Sequence, residues 1–359
     1  MELNKFIRKR GQKSLQDKQP RKILAIDIGG GTQDIVIYEE GESPENFIQM
    51  VLPSPTAIIA EKIKKVTAKQ KGLHLTGTIM GGGRSVRAIY NHLKAGLPVT
   101  ATEEAAKTID DDLEKVEKDG IQIKGSPPQG YKVIETKDID LEMYRKTLAL
   151  YHVDLPQELA VAIQDHGHSP GVSDRHFRFQ HWKKFIQDGG NITDLAYVNP
   201  PEYLTRMKAL KKTVPHALIM DTCAAAIWGS FEDELVQSKQ KENIVLVNVG
   251  NQHTFAVLIK GERIYGLFEH HTRLLNPEKL LMLIEKLRRK ELTHEEVFED
   301  RGHGCYIAPD TPEGFGFTGI TGPRRSLAQK LGYHMINPHG NMMVTGCFGL
   351  IEAAKTRTR

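Results

Sequence analysis

The stretch Ile26–Asp34, IDIGGGTQD, joins two short apolar runs, Ile23–Ile28 and Ile35–Tyr38. Three consecutive glycines between two such runs predict a β-hairpin with a glycine turn. A third apolar run, Phe47–Leu52, completes a three-stranded meander. Because a strand and not a helix follows the glycines, the pattern is neither a P-loop nor a dinucleotide-binding fingerprint.

The tip of this hairpin carries candidate chemistry. Asp27 ends a buried strand, where a carboxylate is costly unless it has a partner, and it could hold Mg²⁺ through water. Glycine backbone N–H groups can approach a phosphate closely because no Cβ intervenes. The structural alternative is a plain glycine-rich hairpin with an Asp in its turn. The candidate phosphate-binding residues are Gly29, Gly30, Gly31, Thr32 and Gln33.

The same meander recurs later in the chain. Ile244–Val249 is followed by a turn at Gly250, by Phe255–Ile259, and then by Arg263–Phe268. This duplication predicts two similar α/β lobes that face each other across a cleft, and such clefts are favoured ligand sites. The predicted organisation is a basic N-terminal tail (1–22), a first lobe (23–230) with an irregular insertion around 119–143, and a second lobe (231–359).

Four segments in this order resemble the superfamily of actin, sugar kinases and heat-shock chaperones, over roughly residues 22–355. They are Asp27–Asp34, the small-residue segment Asp221–Gly229, Asn248–Thr254 and Val344–Gly349. The resemblance implies duplicated actin-like (ribonuclease H-like) lobes with ATP and Mg²⁺ in a central nucleotide cleft. It also implies that the helix Thr222–Gly229 crosses a twin helix closely between the lobes.

The resemblance assigns further site residues. The implied second phosphate loop contains Asn248, Gly250, Asn251, His253 and Thr254. The implied adenosine loop, after a predicted strand Met342–Thr345, contains Thr345, Gly346 and Cys347. The superfamily usually has Asp where this chain has Asn248, and Asn brings no charge and cannot be a general base. We therefore expect binding rather than fast hydrolysis.

More narrowly, the chain is similar to a family labelled as activating enzymes of pyruvate formate-lyase. Radical activating enzymes hold a cluster with three closely spaced cysteines. Cys223, Cys305 and Cys347 are far apart, which argues against such a cluster. So few cysteines indicate neither a disulfide framework nor a thiolate metal site, and they fit a cytoplasmic protein.

A histidine-rich segment, Gln164–His168, follows a predicted strand, where α/β folds place ligand sites. Asp165 is the candidate general base or second magnesium carboxylate, so the predicted catalytic pair is Asp165 and Asp27. His166 and His168 could contact phosphate or substrate. His253, with Glu269–His271, could join a His/Asp metal cluster. The alternative for His270 and His271 is that they are ordinary polar residues of a loop. Arg84 could bind a second substrate, and Arg175, Arg178 and Trp182 are expected at the surface.

Charge and hydropathy limit the function classes. The net charge of the whole chain is +4, and residues 1–22 alone carry a net charge of +6. The other residues therefore sum to −2, so a nucleic-acid-binding surface is not expected on them. No apolar run is long enough to span a membrane. Three functions remain open: a slow ATPase whose lobe closure acts on a partner protein, a kinase for a small-molecule sugar or carboxylate, and a nucleotide-binding regulatory module without turnover.

Overall fold

A computed structural model describes residues 20–169 and 171–357. Most of the predicted basic tail, residues 1–19, lies outside the described residues. The strands are β1 (Lys22–Ile28), β2 (Thr32–Glu39), β3 (Ile48–Pro53), β4 (Leu73–Gly77), β5 (Val99–Ala101), β6 (Ile121–Ile123), β7 (Lys132–Thr136), β8 (Glu158–Ile163), β9 (Ala196–Tyr197), β10 (Leu218–Met220), β11 (Ile244–Val249), β12 (His253–Lys260), β13 (Arg263–His271), β14 (Gly304–Ile307), β15 (Phe317–Thr321) and β16 (His334–Met335).

The α-helices begin where the sequence supplies capping residues. Ser54 accepts a hydrogen bond from Ala57 N (3.3 Å) with Pro55 as the first helical residue, and Asn276 and Pro277 repeat this arrangement. The helices are α1 (Pro55–Ala68), α2 (Gly83–Lys94), α3 (Glu103–Ala106), α4 (Leu113–Lys118), α5 (Leu141–Ala149), α6 (Asp174–Gln187), α7 (Thr205–Thr213), α8 (Thr222–Gly229), α9 (Glu234–Ser238), α10 (Pro277–Arg288), α11 (His294–Glu299) and α12 (Thr345–Arg357).

Two six-stranded sheets share the order of five strands: β3-β2-β1-β8-β10 correspond to β13-β12-β11-β15-β16, and β9 and β14 are added at opposite edges. The first is β3-β2-β1-β8-β10-β9, in which β1, β2 and β3 form an antiparallel meander and β8 and β10 run parallel to β1. The second is β14-β13-β12-β11-β15-β16, with the meander β11-β12-β13 and the parallel strands β15 and β16. The repeated order confirms the predicted fold class of two actin-like α/β lobes.

Helices α8 and α12 follow the equivalent strands β10 and β16 and cross each other between the sheets. Gly229 of α8 lies against the carbonyl of Thr345, and Gly349 of α12 lies against the carbonyl of Ala225. A Cβ at either glycine would overlap those oxygens, so only glycine permits this approach. The predicted close crossing of Thr222–Gly229 with a twin helix is thus present, and α12 is the twin.

A separate four-stranded parallel sheet, β6-β5-β4-β7, lies in the chain between β3 and β8. The stretch 119–143, predicted to be irregular, instead contains β6, β7 and the start of α5. Its turn residues border short strands, because pairing with β4 and β5 supplies the hydrogen bonds that the local sequence alone does not indicate. Apolar side chains of α1, α2 and these strands form a core of their own.

The predicted strand Met342–Thr345 is wrong: Met342–Val344 is a turn of 3₁₀-helix, and α12 begins at Thr345. A four-residue apolar run fits a buried helix end as well as a strand, and the length alone cannot decide. Among the residues that the structure describes, no helix is both long and apolar enough to cross a membrane.

Candidate functional site

A cleft of about 360 Å³ lies between the two large sheets. Such a volume is within the range of small-molecule sites. The carboxyl ends of β1, β8, β11 and β15 all open into it. The predicted site residues that line it from the first lobe are Asp27, Gly29, Gly30, Thr32 and Asp165. Those that line it from the second lobe are Asn248, Gly250, Asn251, His253, Thr345 and Gly346.

The two glycine turns have the same backbone geometry. Gly29 N donates to Thr32 O at 2.9 Å, and Gly250 N donates to His253 O at 2.9 Å. The turns face each other closely, because a Cβ on Gly31 would lie 2.7 Å from the side-chain nitrogen of Asn251. The two turns therefore form opposite walls of one narrow space.

Amide side chains of the second turn reach the glycines of the first. The Gln252 amide lies against Gly30 and comes within 3.2 Å of a Cβ built on Gly83. Amide N–H₂ groups donate hydrogen bonds to anions. The superfamily resemblance implied glycines at residues 251–253, but polar side chains there place hydrogen-bond donors between the two turns. The sequence analysis did not include Gln252 among the site residues.

A pair of carboxylates lies at the base of the first turn. Asp27 and Asp34 are direct cross-strand partners in the β1–β2 hairpin, so their side chains share one face. Burial raises the pKa of Asp27 to about 7, opposed by a hydrogen bond from the Thr222 hydroxyl. Burial and the neighbouring Asp27 raise the pKa of Asp34 to about 8.

No protein cation neutralises this pair within the described part of the chain. Neither Asp27 nor Asp34 forms a salt bridge there, and Asp34 Oδ1 has no hydrogen-bond partner among those residues. Asp34 is 7% exposed, and Asp27 lies half-buried beside it at the cleft. Two adjacent carboxyl groups without a counter-charge resist ionisation, and a bound cation favours their ionised form. The sequence held the signal for Asp34, since it stands opposite Asp27 in the hairpin register.

Four predicted nucleotide-binding residues do not line the cleft: Gly31, Gln33, Thr254 and Cys347. Gln33 is fully buried, donates to Pro53 O at 2.9 Å and accepts from the Tyr144 hydroxyl. Thr254 is fully buried and bonded to the Thr272 hydroxyl. The strand alternation turns both side chains away from the turn tips.

Cys347 also lies outside the cleft wall. It is fully buried in α12, and its Sγ donates to Asp34 O at 3.0 Å. Gly346, one residue earlier, packs directly against the Asp27 carboxylate, so that α12 begins at the base of the first turn. Thr321–Pro323, at the end of β15, also lines the cleft and was missed by the sequence analysis.

Both oxygens of Asp165 are engaged by backbone groups. Oδ1 accepts from Gly167 N at 2.8 Å and Oδ2 accepts from Met207 N at 2.9 Å. Burial raises the pKa of Asp165, and these two hydrogen bonds oppose that effect. The predicted general base therefore holds the loop after β8 against the start of α7.

An arginine joins the two lobes behind the cleft. Arg178 Nε donates to Glu269 (2.8 Å) in the second lobe, and its Nη1 donates to Asp221 (2.8 Å) in the first. The expectation of a surface position for Arg178 and Trp182 is wrong: they are 3% and 4% exposed. Trp182 also donates to Glu269, at 2.9 Å. The partners come from distant segments, which sequence spacing does not reveal.

Several histidines surround Glu269. His253 Nδ1 lies 2.8 Å from Glu269 Oε1, and the His253 ring packs near those of His166 and His303 at centroid distances of 5.4 and 4.7 Å. The interpretation of His270 as a loop residue is wrong, since it lies on β13, is fully buried and bonds to Asp300 (2.9 Å). His271, also predicted as a loop residue, ends β13.

Fold and cleft together define a two-lobed protein of the actin-like class. Within it, the chain belongs to the family described as "Putative pyruvate format-lyase activating enzyme (DUF1786)", which matches residues 80–327. The narrower resemblance predicted from the sequence is thereby confirmed. No curated protein sequence matches the chain.

Solved structures with some likeness are distant in sequence. A protein from Bacteroides thetaiotaomicron with an actin-like ATPase fold is 9% identical, with a TM-score of 0.34, covering 95% of this chain and 97% of its own. The ethanolamine utilization protein EutJ from Carboxydothermus hydrogenoformans is 9% identical, with a TM-score of 0.31 and coverages of 92% and 89%. The activator of 2-hydroxyisocaproyl-CoA dehydratase from Clostridium difficile, with bound ADPNP, is 10% identical, with a TM-score of 0.30 and coverages of 94% and 97%.

Proposed function

We propose that this chain binds ATP with Mg²⁺ in the cleft between its lobes. The observation that carries the proposal is the uncompensated carboxylate pair, Asp27 and Asp34, directly beneath a glycine turn that faces a second such turn. Asp27 and Asp34 are the residues that would hold Mg²⁺, Asp27 through water, and the ion would supply the positive charge that the pair and a phosphate group lack. The residues present fit the ion, because hard oxygen ligands with free lone pairs are what Mg²⁺ takes.

The two turns supply the phosphate contacts in this proposal. Backbone N–H groups of Gly29–Thr32 approach from the first lobe, and Gly250–His253 from the second. The side chains of Asn251 and Gln252 donate further hydrogen bonds. The base and ribose lie along the loop Thr321–Pro323 and the 3₁₀ turn before α12, where Met342 and Met343 provide apolar contact.

Turnover in this site is slow. Asn248 carries no charge, and both oxygens of Asp165 already accept backbone hydrogen bonds. Hydrogen bonds to a carboxylate favour its ionised form and so make it a weaker base. We therefore propose a slow ATPase whose nucleotide-dependent lobe closure acts on a partner protein. Because α8 and α12 pack closely between the lobes, closure would move these two helices against each other.

Two other functions remain as alternatives. A nucleotide-binding regulatory module without turnover is favoured by the neutral Asn248. A kinase for a small-molecule sugar or carboxylate is less supported, because Arg84 is exposed and lies outside the cleft lining. Radical activation is not proposed, because Cys223, Cys305 and Cys347 are separately buried and do not converge within the described residues.

The test is equilibrium binding and single-turnover hydrolysis of ATP–Mg²⁺ by the full chain and by Asp27→Ala. Binding with slow hydrolysis, both lost in Asp27→Ala, supports the slow ATPase. Binding without hydrolysis supports the regulatory module, or a kinase awaiting its substrate. Phosphate transfer to an added sugar or carboxylate would establish the kinase. No binding by the native chain contradicts the proposal.

A further inference from the structure

Three histidine side chains converge at the inner end of the cleft. The ligand nitrogens of His166, His253 and His303 all lie within 4.8 Å of one another. His166 comes from the loop after β8 in the first lobe, whereas His253 begins β12 and His303 precedes β14 in the second lobe. Such a spread of chain positions means that the tertiary fold, and not a local turn, brings the three rings together.

Of the three histidines, His303 is the one whose burial no hydrogen bond in the fold explains. It is 0% exposed, and neither of its ring nitrogens has a hydrogen-bond partner in the described ranges 20–169 and 171–357. A buried polar group without a partner destabilises the fold unless a ligand satisfies it. One of its ring nitrogens lies within 4.8 Å of ring nitrogens of His166 and His253, so the three side chains can share one ligand.

The protonation states suit metal binding. Burial, together with the nearby Arg178, holds the pKa of His166 well below its usual value. Burial lowers the pKa of His303 to about 3, although Glu269 opposes the shift. Both rings are therefore neutral at physiological pH, and neutral imidazole is the form that binds metal ions.

Glu269 fixes the orientation of His253. His253 Nδ1 lies 2.8 Å from Glu269 Oε1 and 2.7 Å from the side-chain amide of Gln164. Because a carboxylate only accepts hydrogen bonds, the Glu269 contact assigns the proton to Nδ1 and the lone pair to Nε2. Metal-binding histidines commonly donate their other N–H to a carboxylate in this way, which fixes the tautomer and raises ligand basicity. Arg178 and Trp182 hold Glu269 in turn, so the carboxylate cannot rotate away.

We propose that His166, His253 and His303 bind one divalent transition-metal ion of the Zn²⁺ class. Imidazole nitrogen suits Zn²⁺ and its neighbours in the first transition row, whereas Mg²⁺ prefers oxygen, so this site is distinct from the Asp27 site. Three protein ligands leave a fourth tetrahedral position for water or an anion. His166 and His253 line the cleft, so this position opens toward it.

The ion would also connect the two lobes, since His166 belongs to the first and the other two ligands to the second. Metal binding is therefore expected to restrict lobe opening. The metal site does not depend on nucleotide binding, because the three histidine side chains alone form it. His253 belongs to the second glycine turn, but it would bind the metal through its ring.

The test uses the full chain, stripped with a chelator and titrated with Zn²⁺ alone by calorimetry, with Co²⁺ as a spectroscopic probe. The native chain should bind one Zn²⁺ per chain, and Co²⁺ should give visible absorption bands of a tetrahedral nitrogen site. His303→Ala should weaken Zn²⁺ binding by more than about 100-fold, beyond the 10–100-fold typical of losing an outer partner.

His166→Gln serves as a second variant in case His303→Ala fails to fold. His166 lies in a loop, so its replacement should leave the metal-free fold intact. The matched control is His74→Ala, a buried histidine on β4 bonded to Thr100 in the separate four-stranded sheet. It should retain native Zn²⁺ stoichiometry and affinity. The proposal is overturned if the native chain binds no Zn²⁺, or if His303→Ala and His166→Gln bind it like the control.

Discussion

Asp34 offers a sharp test of the electrostatics at the first turn. Replacing it with Asn removes a buried carboxyl of nearly the same shape, whose pKa burial and Asp27 raise to about 8. In the unfolded chain this group titrates near pH 4, so the native state holds the extra proton between about pH 4 and pH 8. Stability contributed by Asp34 is therefore present below pH 4 to 5 and is lost as the pH rises toward 8.

The size of the effect follows from proton linkage. Each pH unit over which only the native state holds the proton costs about 1.4 kcal/mol of stability as the pH rises. From pH 5 to pH 8 the full effect would be about 4 kcal/mol. Because Asp27, with a pKa of about 7, titrates in the same range and couples to Asp34, we expect about 3 kcal/mol.

The assay is chemical denaturation of native and Asp34→Asn protein at pH 5 and pH 8, with divalent ions chelated. Relative to the native chain, the variant should gain about 3 kcal/mol of stability between pH 5 and pH 8, so that it is clearly the more stable protein at pH 8. The control, Asp310→Asn, removes a carboxylate with a 60% exposed side chain and should change stability by less than about 1 kcal/mol at either pH. A variant that is less stable than the native chain at pH 8 would refute the reasoning.

Three further predictions concern the packing between the lobes. Gly349→Ala should destabilise the protein by about 1–3 kcal/mol in urea denaturation, because its Cβ meets a carbonyl of α8, whereas Gly125→Ala meets nothing and should be neutral. Arg178→Gln should lower the free energy of unfolding by about 3–5 kcal/mol, because it leaves two buried carboxylates without their cation. Lys184→Gln, at an exposed position on the same helix, should change it by less than about 0.5 kcal/mol. All three cysteines are buried, so a thiol reagent should react with none in the native protein and with three in denaturant, and a fast-reacting native thiol would be inconsistent with this packing.

The fold was predictable because its signals are local and repeated. The glycine turn after Asp27 and its counterpart at Gly250 each follow an apolar strand, and the structure gives both the same turn hydrogen bond. The resemblance of Asp221–Gly229 to the connecting helix of the superfamily likewise implied a close helix crossing. These features depend on neighbouring residues in the chain, which a sequence pattern records directly.

The rest of the site depends on contacts between distant segments. His303 lies 50 residues beyond His253 and joins it only through the pairing of β13 with β14. Arg178 lies on a helix whose sequence is largely polar, and its burial comes from Asp221 and Glu269 in different lobes. Asp165 follows strand β8 as predicted, but the backbone groups that hydrogen-bond to its oxygens come from positions that a sequence does not show.

The most direct test of the central claim is a crystal structure of the full chain with a non-hydrolysable ATP analogue and Mg²⁺. We predict triphosphate density between Gly29–Thr32 and Gly250–His253, with Mg²⁺ and its waters next to Asp27. Density for the analogue elsewhere, or a cleft without nucleotide at saturating concentration, would contradict the account.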